Sequence, residues 1–195
     1  MIGRDIIKIT LTLVIIYLIG GAILAGVYAK ASPIIYKNAI IEKERALKRM
    51  MPDAEKIEKI GDWTIHGKNA EYYAAKIGEE IYGYIIQSFG KGYSSYINVL
   101  IAVDKDLKIQ KIEILSHAET PGLGDEIEKD EFKNQFNGKG IENIKLLKTE
   151  TTEYIQAITG VTISSRAVTE DAVKNGLNHL ISVVKGGGNG ATNHN

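Results

Sequence analysis

Between Lys8 and Lys30 the chain runs 21 residues, Ile9 to Ala29, without a formal charge. At about 1.5 Å per residue that run covers roughly 30 Å, the thickness of a bilayer's hydrocarbon core, and it predicts a transmembrane helix over 9–29. After Pro33 the pattern becomes amphipathic. Ile40, Ile41, Leu47 and Met50 recur with the helical period while Lys43, Glu44 and Lys48 take the outer face, so a surface helix is expected over Ile34–Met50, ended by Pro52. The period then shortens. Trp63–Ile65, Tyr72–Ile77, Ile81–Phe89, Tyr96–Val103 and Lys108–Leu115 read as strands, the last two joined through Asp104-Lys105-Asp106 as a hairpin. Asp125–Phe136 reads as a short polar helix with Phe132 and Phe136 four apart, and Ile155–Ile158 as a further short strand. Val168, Ala172, Val173, Leu177, Leu180, Ile181 and Val184 mark a terminal amphipathic helix over Ser165–Val184. The expected fold class is α+β, a mostly antiparallel sheet with flanking helices preceded by one N-terminal transmembrane helix.

Three segments follow from this pattern: an anchor over 1–30, a folded domain over 31–185, and a Gly/Asn-rich tail over 186–195 with no apolar content, expected to be disordered. A cleaved signal peptide competes with a retained anchor, because Arg4 and Lys8 form a basic start and Ala29-Lys30-Ala31 resembles a cleavage pattern. The apolar run exceeds the usual signal core, which favours retention. Lys30, Lys37, Lys43, Arg45, Lys48 and Arg49 follow the span and would by count hold the domain in the cytoplasm, but long domains translocate regardless of such counts. The residues alone leave the side open.

Composition narrows the chemistry. Lys plus Arg and Asp plus Glu are both 24 in 195 residues, so no basic excess exists to hold a nucleic-acid backbone. Cysteine is absent, which excludes disulfides, thiolate metal sites, iron–sulfur ligation and a cysteine nucleophile. Any redox chemistry must therefore reside in a bound organic cofactor.

Two segments carry candidate chemistry. Thr159-Gly160-Val161-Thr162-Ile163-Ser164-Ser165-Arg166 lies between a strand and the final helix, with Gly160 permitting a tight turn and Ser164 or Ser165 placed as an N-cap. Amide protons and the positive dipole end would stabilise a phosphate beside Thr162, although ordinary capping explains the same spacing without any ligand. No P-loop pattern is present. Ser116-His117-Ala118-Glu119-Thr120-Pro121-Gly122-Leu123-Gly124-Asp125 follows a strand and opens a helix; its glycines let backbone approach a ligand, and Glu119 and Thr120 offer groups that a heteroaromatic ring can bond. Spaced as it is from His66, His179 and His194, His117 reads as a solvated histidine rather than a metal ligand.

These two motifs, with Gly92-Tyr93, resemble the G subunits of Rnf electron-transport complexes, a family related to the C subunit of the sodium-pumping NADH:quinone reductase. The similarity extends from the N-terminal anchor to the final helix. It implies FMN joined through its phosphate to the last threonine of an Asp-x-x-Ser/Thr-Gly-Ala-Thr motif, here Thr162. Thr159, Gly160, Val161, Ser164, Ser165, Gly122 and Leu123 would also bind the cofactor, with Glu119 and Thr120 lying against the ring. Two positions depart from the motif: Gln156 replaces its Asp and Val161 its Ala. The resemblance further implies a single-pass protein of the cell (inner) membrane with its large domain on the extracytoplasmic side. Its partners would be the other membrane subunits of the complex, the bilayer lipid and a flavin transferase that installs FMN. No metal, nucleic acid or stand-alone catalysis is expected. The competing functions are an anchored module that binds FMN or another phosphate ligand without passing electrons, and a scaffold without cofactor.

Overall fold

The computed structural model describes residues 2–186. They divide into two compact units, up to Glu44 and from Arg45 onward. The first lies within helix α1, Ile2–Met50, which continues through Pro33 where the sequence suggested a fresh start. Proline removes one donor from a helix interior, and the helix continues on either side of it. By length and composition α1 can cross a membrane, with a mean hydropathy of 2.3 over its most apolar window. Its large apolar side chains from Ile6 to Tyr36 are exposed.

The second unit is built on a five-stranded antiparallel meander: β1 (Lys56–Ile65), β2 (Lys68–Ile77), β3 (Glu80–Lys91), β4 (Tyr96–Asp104) and β5 (Ile109–Ser116), paired in sequence order. Strand alternation gives the sheet two apolar faces. Ile86, Ile101 and Ile112 stand in register on one face and pack with Val168, Ala172, Val173, Leu177 and Leu180 of the C-terminal helical segment. Ile85, Leu100 and Ala102 point the other way and bury Ala46, Leu47 and Met50 from the last turns of α1, together with Met51. A sheet covered on both faces explains the near-continuous apolar run of β4.

Strand β1 is seven residues longer at its start than the hydrophobic pattern predicted. It is an edge strand whose Lys59 and Glu58 pair across to Glu71 and Lys76, so its exposed positions read as polar. His66 and Gly67, at φ 53° and 70°, close the β1–β2 hairpin as a left-handed two-residue turn. The expected helix over Asp125–Phe136 is instead a 3₁₀ turn, the single turn α2 (Asp130–Lys133) and a second 3₁₀ turn, with Phe132 and Phe136 edge to face at 5.5 Å. Short strands β6 (Leu146–Leu147) and β7 (Ile155–Gln156) pair in parallel, a small exception to the antiparallel pattern.

The terminal helical segment starts earlier than expected. It runs as α3 (Thr162–Arg166), a π-helical stretch over Ala167–Val173, and α4 (Lys174–Gly186). Gly186, expected to open the disordered tail, closes α4, and 187–195 lie outside the described residues. At Gly90 a Cβ would collide with the carbonyl oxygen of Ala167. That missing side chain lets β3 approach the helical backbone directly, next to where α3 turns into the π-helical stretch.

Candidate functional site

Both motifs converge on one cleft of about 380 Å³, lined by Tyr93, Glu119, Thr120, Leu123, Gly124, Gly160, Val161, Thr162, Ile163 and Ser164. Its volume falls within the roughly 300–1,000 Å³ typical of cofactor sites. One wall is the β3–β4 turn, closed by the Gly92 amide donating to Ser95 O at 2.8 Å. The second is the loop after β5, where Leu123 and Gly124 amides donate to Thr120 O at 3.2 and 2.9 Å. The third is the start of α3, reached through Gly160 at φ 81°, a left-handed conformation that a β-carbon would strain.

The hydroxyls at the start of α3 have different fates. Ser164, buried, donates to Glu119 Oε2 at 2.6 Å. Ser165, fully buried, donates to Val161 O at 2.9 Å and accepts from the Ile158 amide at 3.2 Å. Neither serine caps the helix as the sequence suggested, because α3 begins at Thr162 and both lie inside its first turn. Val161 holds the N-cap position and supplies no side-chain bond. The Thr162 hydroxyl forms no side-chain hydrogen bond among the described residues and faces the cleft. With no cap, the first-turn amides are left to a ligand or water, the arrangement that favours an anion.

Glu119 is 5% exposed. Its Oε1 accepts from the Ser94 and Ser95 amides, both at 3.0 Å, and from Ser95 Oγ at 3.3 Å; Oε2 accepts from the Tyr93 amide at 3.0 Å and from Ser164. Burial pushes its pKa up, but the bonds from the Ser164 hydroxyl and the three amides outweigh that and hold the carboxyl below its usual range. Gly92 and Gly124 make room for it, since a Cβ on either would come within 2.5 Å of a Glu119 atom. His117 is bonded rather than simply solvated: Nδ1 accepts from the Glu119 amide at 3.1 Å and Nε2 lies 2.9 Å from Glu128.

Of the residues singled out in the sequence, Glu119, Thr120, Leu123, Gly160, Val161, Thr162 and Ser164 line the cleft. Thr159 and Gly122 lie beside it, and Ser165 lies behind the helix start. Gly124 was missed as a lining residue, and so were Tyr93 and Ile163, although all three stand in the motif segments. Tyr93, Ile163 and Leu123 form an apolar rim, being 74%, 52% and 55% exposed. At Gln156, where the motif has Asp, the backbone is fixed by Gln135, which accepts from the amide at 2.7 Å. No cluster of His, Cys, Asp and Glu able to hold a metal occurs among the described residues.

A family model described as an FMN-binding domain matches residues 92–178, a span that contains every residue lining the cleft. The G subunit of the proton-translocating ferredoxin:NAD(+) oxidoreductase complex of Clostridium ljungdahlii is 36% identical over 168 residues, covering 86% of this chain and 88% of that one. The chain belongs to the family of Rnf G subunits. It is thus part of an ion-translocating oxidoreductase complex and has an FMN-binding domain. The G subunit of the ion-translocating oxidoreductase complex of Methanosarcina acetivorans is 26% identical over 183 residues, 91% of this chain and 96% of that one. Crystalline NqrC from Shewanella oneidensis has the same fold, with a TM-score of 0.51 at 20% identity over 68% of this chain and 74% of that one.

Proposed function

We propose that this Rnf G subunit carries FMN on Thr162 Oγ1 through a phosphoester and relays electrons within its complex, anchored by α1 with the folded unit outside the cytoplasm. The observation that carries this reading is the division of labour among the hydroxyls. Ser164 and Ser165 are buried and committed to internal bonds, while the Thr162 hydroxyl opens into the cleft at an uncapped helix start. The residues present fit the group. First-turn amides suit a phosphate, the Tyr93, Leu123 and Ile163 rim suits an aromatic ring, and the exposed Thr120 provides a hydrogen-bonding hydroxyl beside it. Bound FMN supplies electron transfer in steps of one or two electrons.

Condensing a phosphate monoester with an alcohol by loss of water is uphill, so the flavin must arrive as a phosphoanhydride. Thr162 Oγ1 would bond to the flavin-side phosphorus as the anhydride P–O bond breaks, its hydroxyl proton being lost as the phosphate-bearing leaving group departs. The Thr162 hydroxyl makes no hydrogen bond to a carboxylate or imidazole among the described residues, which fits installation by a separate flavin transferase. Anchoring rests on the exposed apolar surface of α1, and the outward side on the family resemblance. The other membrane subunits of the complex and the lipid around α1 are the partners. Co-expression with a flavin transferase, followed by a denaturing gel, tests attachment. Flavin fluorescence should stay with the wild-type band and leave it in Thr162→Ala; fluorescence retained by Thr162→Ala would overturn the assignment.

A further inference from the structure

We propose that Glu119 is a positioning residue for the cofactor, a carboxylate without a cationic partner that ties the walls of the cleft together and whose fixed charge lowers the electron affinity of a flavin held there. This rests on the reading of the cleft as the flavin site. Each rim residue is fixed through an atom that Glu119 holds or crowds. Tyr93 donates its own amide to Oε2, Ile163 precedes Ser164, and Leu123 precedes Gly124, which packs on the Glu119 Cβ. Removing this side chain would release the β3–β4 turn and the start of α3 together.

The chemistry of the five bonds requires a carboxylate. Three donors are backbone amides, which can only donate, and glutamine would turn an NH₂ group toward them. No Lys, Arg or His lies within ion-pair distance of Glu119 among the described residues, so the hydrogen bonds stabilise its charge without cancelling it. That charge sits in the wall of the cleft, where it opposes the arrival of an electron on any bound group. Reduced flavin beside it is the stronger donor.

The test uses the full chain, co-expressed with a flavin transferase and solubilised in detergent, as wild type, Glu119→Gln, Glu119→Asp and Ser164→Ala. Intact mass first gives the flavin content, and a spectroelectrochemical titration then gives the potential. Glu119→Gln should raise the equilibrium constant for one-electron reduction about tenfold, an upward shift of about 59 mV. Glu119→Asp and Ser164→Ala keep the charge and should stay within about threefold of wild type, roughly 30 mV. An unchanged potential in Glu119→Gln, or an equal shift in Ser164→Ala, would overturn the electrostatic role. If Glu119→Gln does not fold, Glu119→Asp still decides, because a tenfold shift in a variant that keeps the charge contradicts it. If wild type carries no flavin, the reading of the cleft fails on its own, and hydrogen exchange of the flavin-free chain tests Glu119 separately. The Tyr93, Ser94 and Ser95 amides should then exchange at least about tenfold faster in Glu119→Asp or Glu119→Gln than in wild type, with β4 amides unchanged. Equal protection would overturn the positioning role.

Discussion

Replacing each hydroxyl of the α3 start by alanine separates the residues that build the cleft from the one that serves it. Ser164→Ala deletes a buried bond of 2.6 Å to a charged acceptor. Such bonds are worth about 1.5–3 kcal/mol, and because Glu119 keeps four other donors the expected loss is near the lower end, about 1.5–2 kcal/mol. Ser165→Ala leaves the Ile158 amide without its acceptor beside a fully buried site, which costs about 1–3 kcal/mol. Thr162→Ala breaks no side-chain hydrogen bond among the described residues and should change stability by less than about 1 kcal/mol. For a folded unit of this size about 1 kcal/mol moves Tm by roughly 2–4 °C, so Ser164→Ala should melt roughly 3–8 °C below wild type, Ser165→Ala roughly 2–12 °C below it, and the threonine variant within a few degrees. Melts of the full chains followed by circular dichroism at neutral pH, without attached flavin, measure this directly. A Thr162→Ala variant as destabilised as Ser165→Ala, or a Ser164→Ala variant indistinguishable from wild type, would refute the assignment of roles.

Gly90→Ala should destabilise the folded unit by about 3 kcal/mol or lower its yield, because the added carbon meets helical backbone that cannot rotate away; urea unfolding at wild-type midpoint stability would contradict that packing. Acid stability should report on Glu119. Its folded pKa is lowered, so its contribution is complete above the usual carboxylate range and is lost as pH falls through the folded value. The urea midpoint should therefore drop on acidification, less so in Glu119→Gln. Glu58, held at about 2 by Lys56 and Lys76, is only partly buried on the edge strand, so added salt should screen its share and leave that of the buried Glu119. Sequencing the mature N-terminus should find the residues before Lys30 retained, and a start at Ser32 would refute α1 as a retained anchor.

The meander was legible because its central strands are buried and carry a strong period: Ile85 and Ile86, and Val99 through Val103, face two cores and leave an unmistakable apolar run. The edge strand was not, since Lys56 to Asp62 carry charges that pair across the sheet instead of burying apolar surface. Gly160 and the hydroxyl run located the helix start to within three residues. That no hydroxyl caps the helix, that two brace it and that one stays open depended on the Gly160 turn setting the phase of α3, and spacing alone does not encode that phase. Glu119 stood out in the sequence as a possible ring contact. Its bonding to the β3–β4 turn required knowledge that residues 93–95 and 119 meet, a contact fixed by β4–β5 pairing. The π-helical stretch over Ala167–Val173 left no sign, because its apolar positions also fit an α-helix.

Peptide mass spectrometry of the chain matured with a flavin transferase locates the attachment directly. One FMN adduct is expected, on Thr162, absent from Thr162→Ala and retained in part by Thr162→Ser, where the hydroxyl survives. Because Gln156 stands where the motif has Asp, weak labelling should rise in Gln156→Asp on the same threonine. An adduct on Ser164, Ser165 or Thr159, or none in either the natural chain or Gln156→Asp, would contradict that attachment.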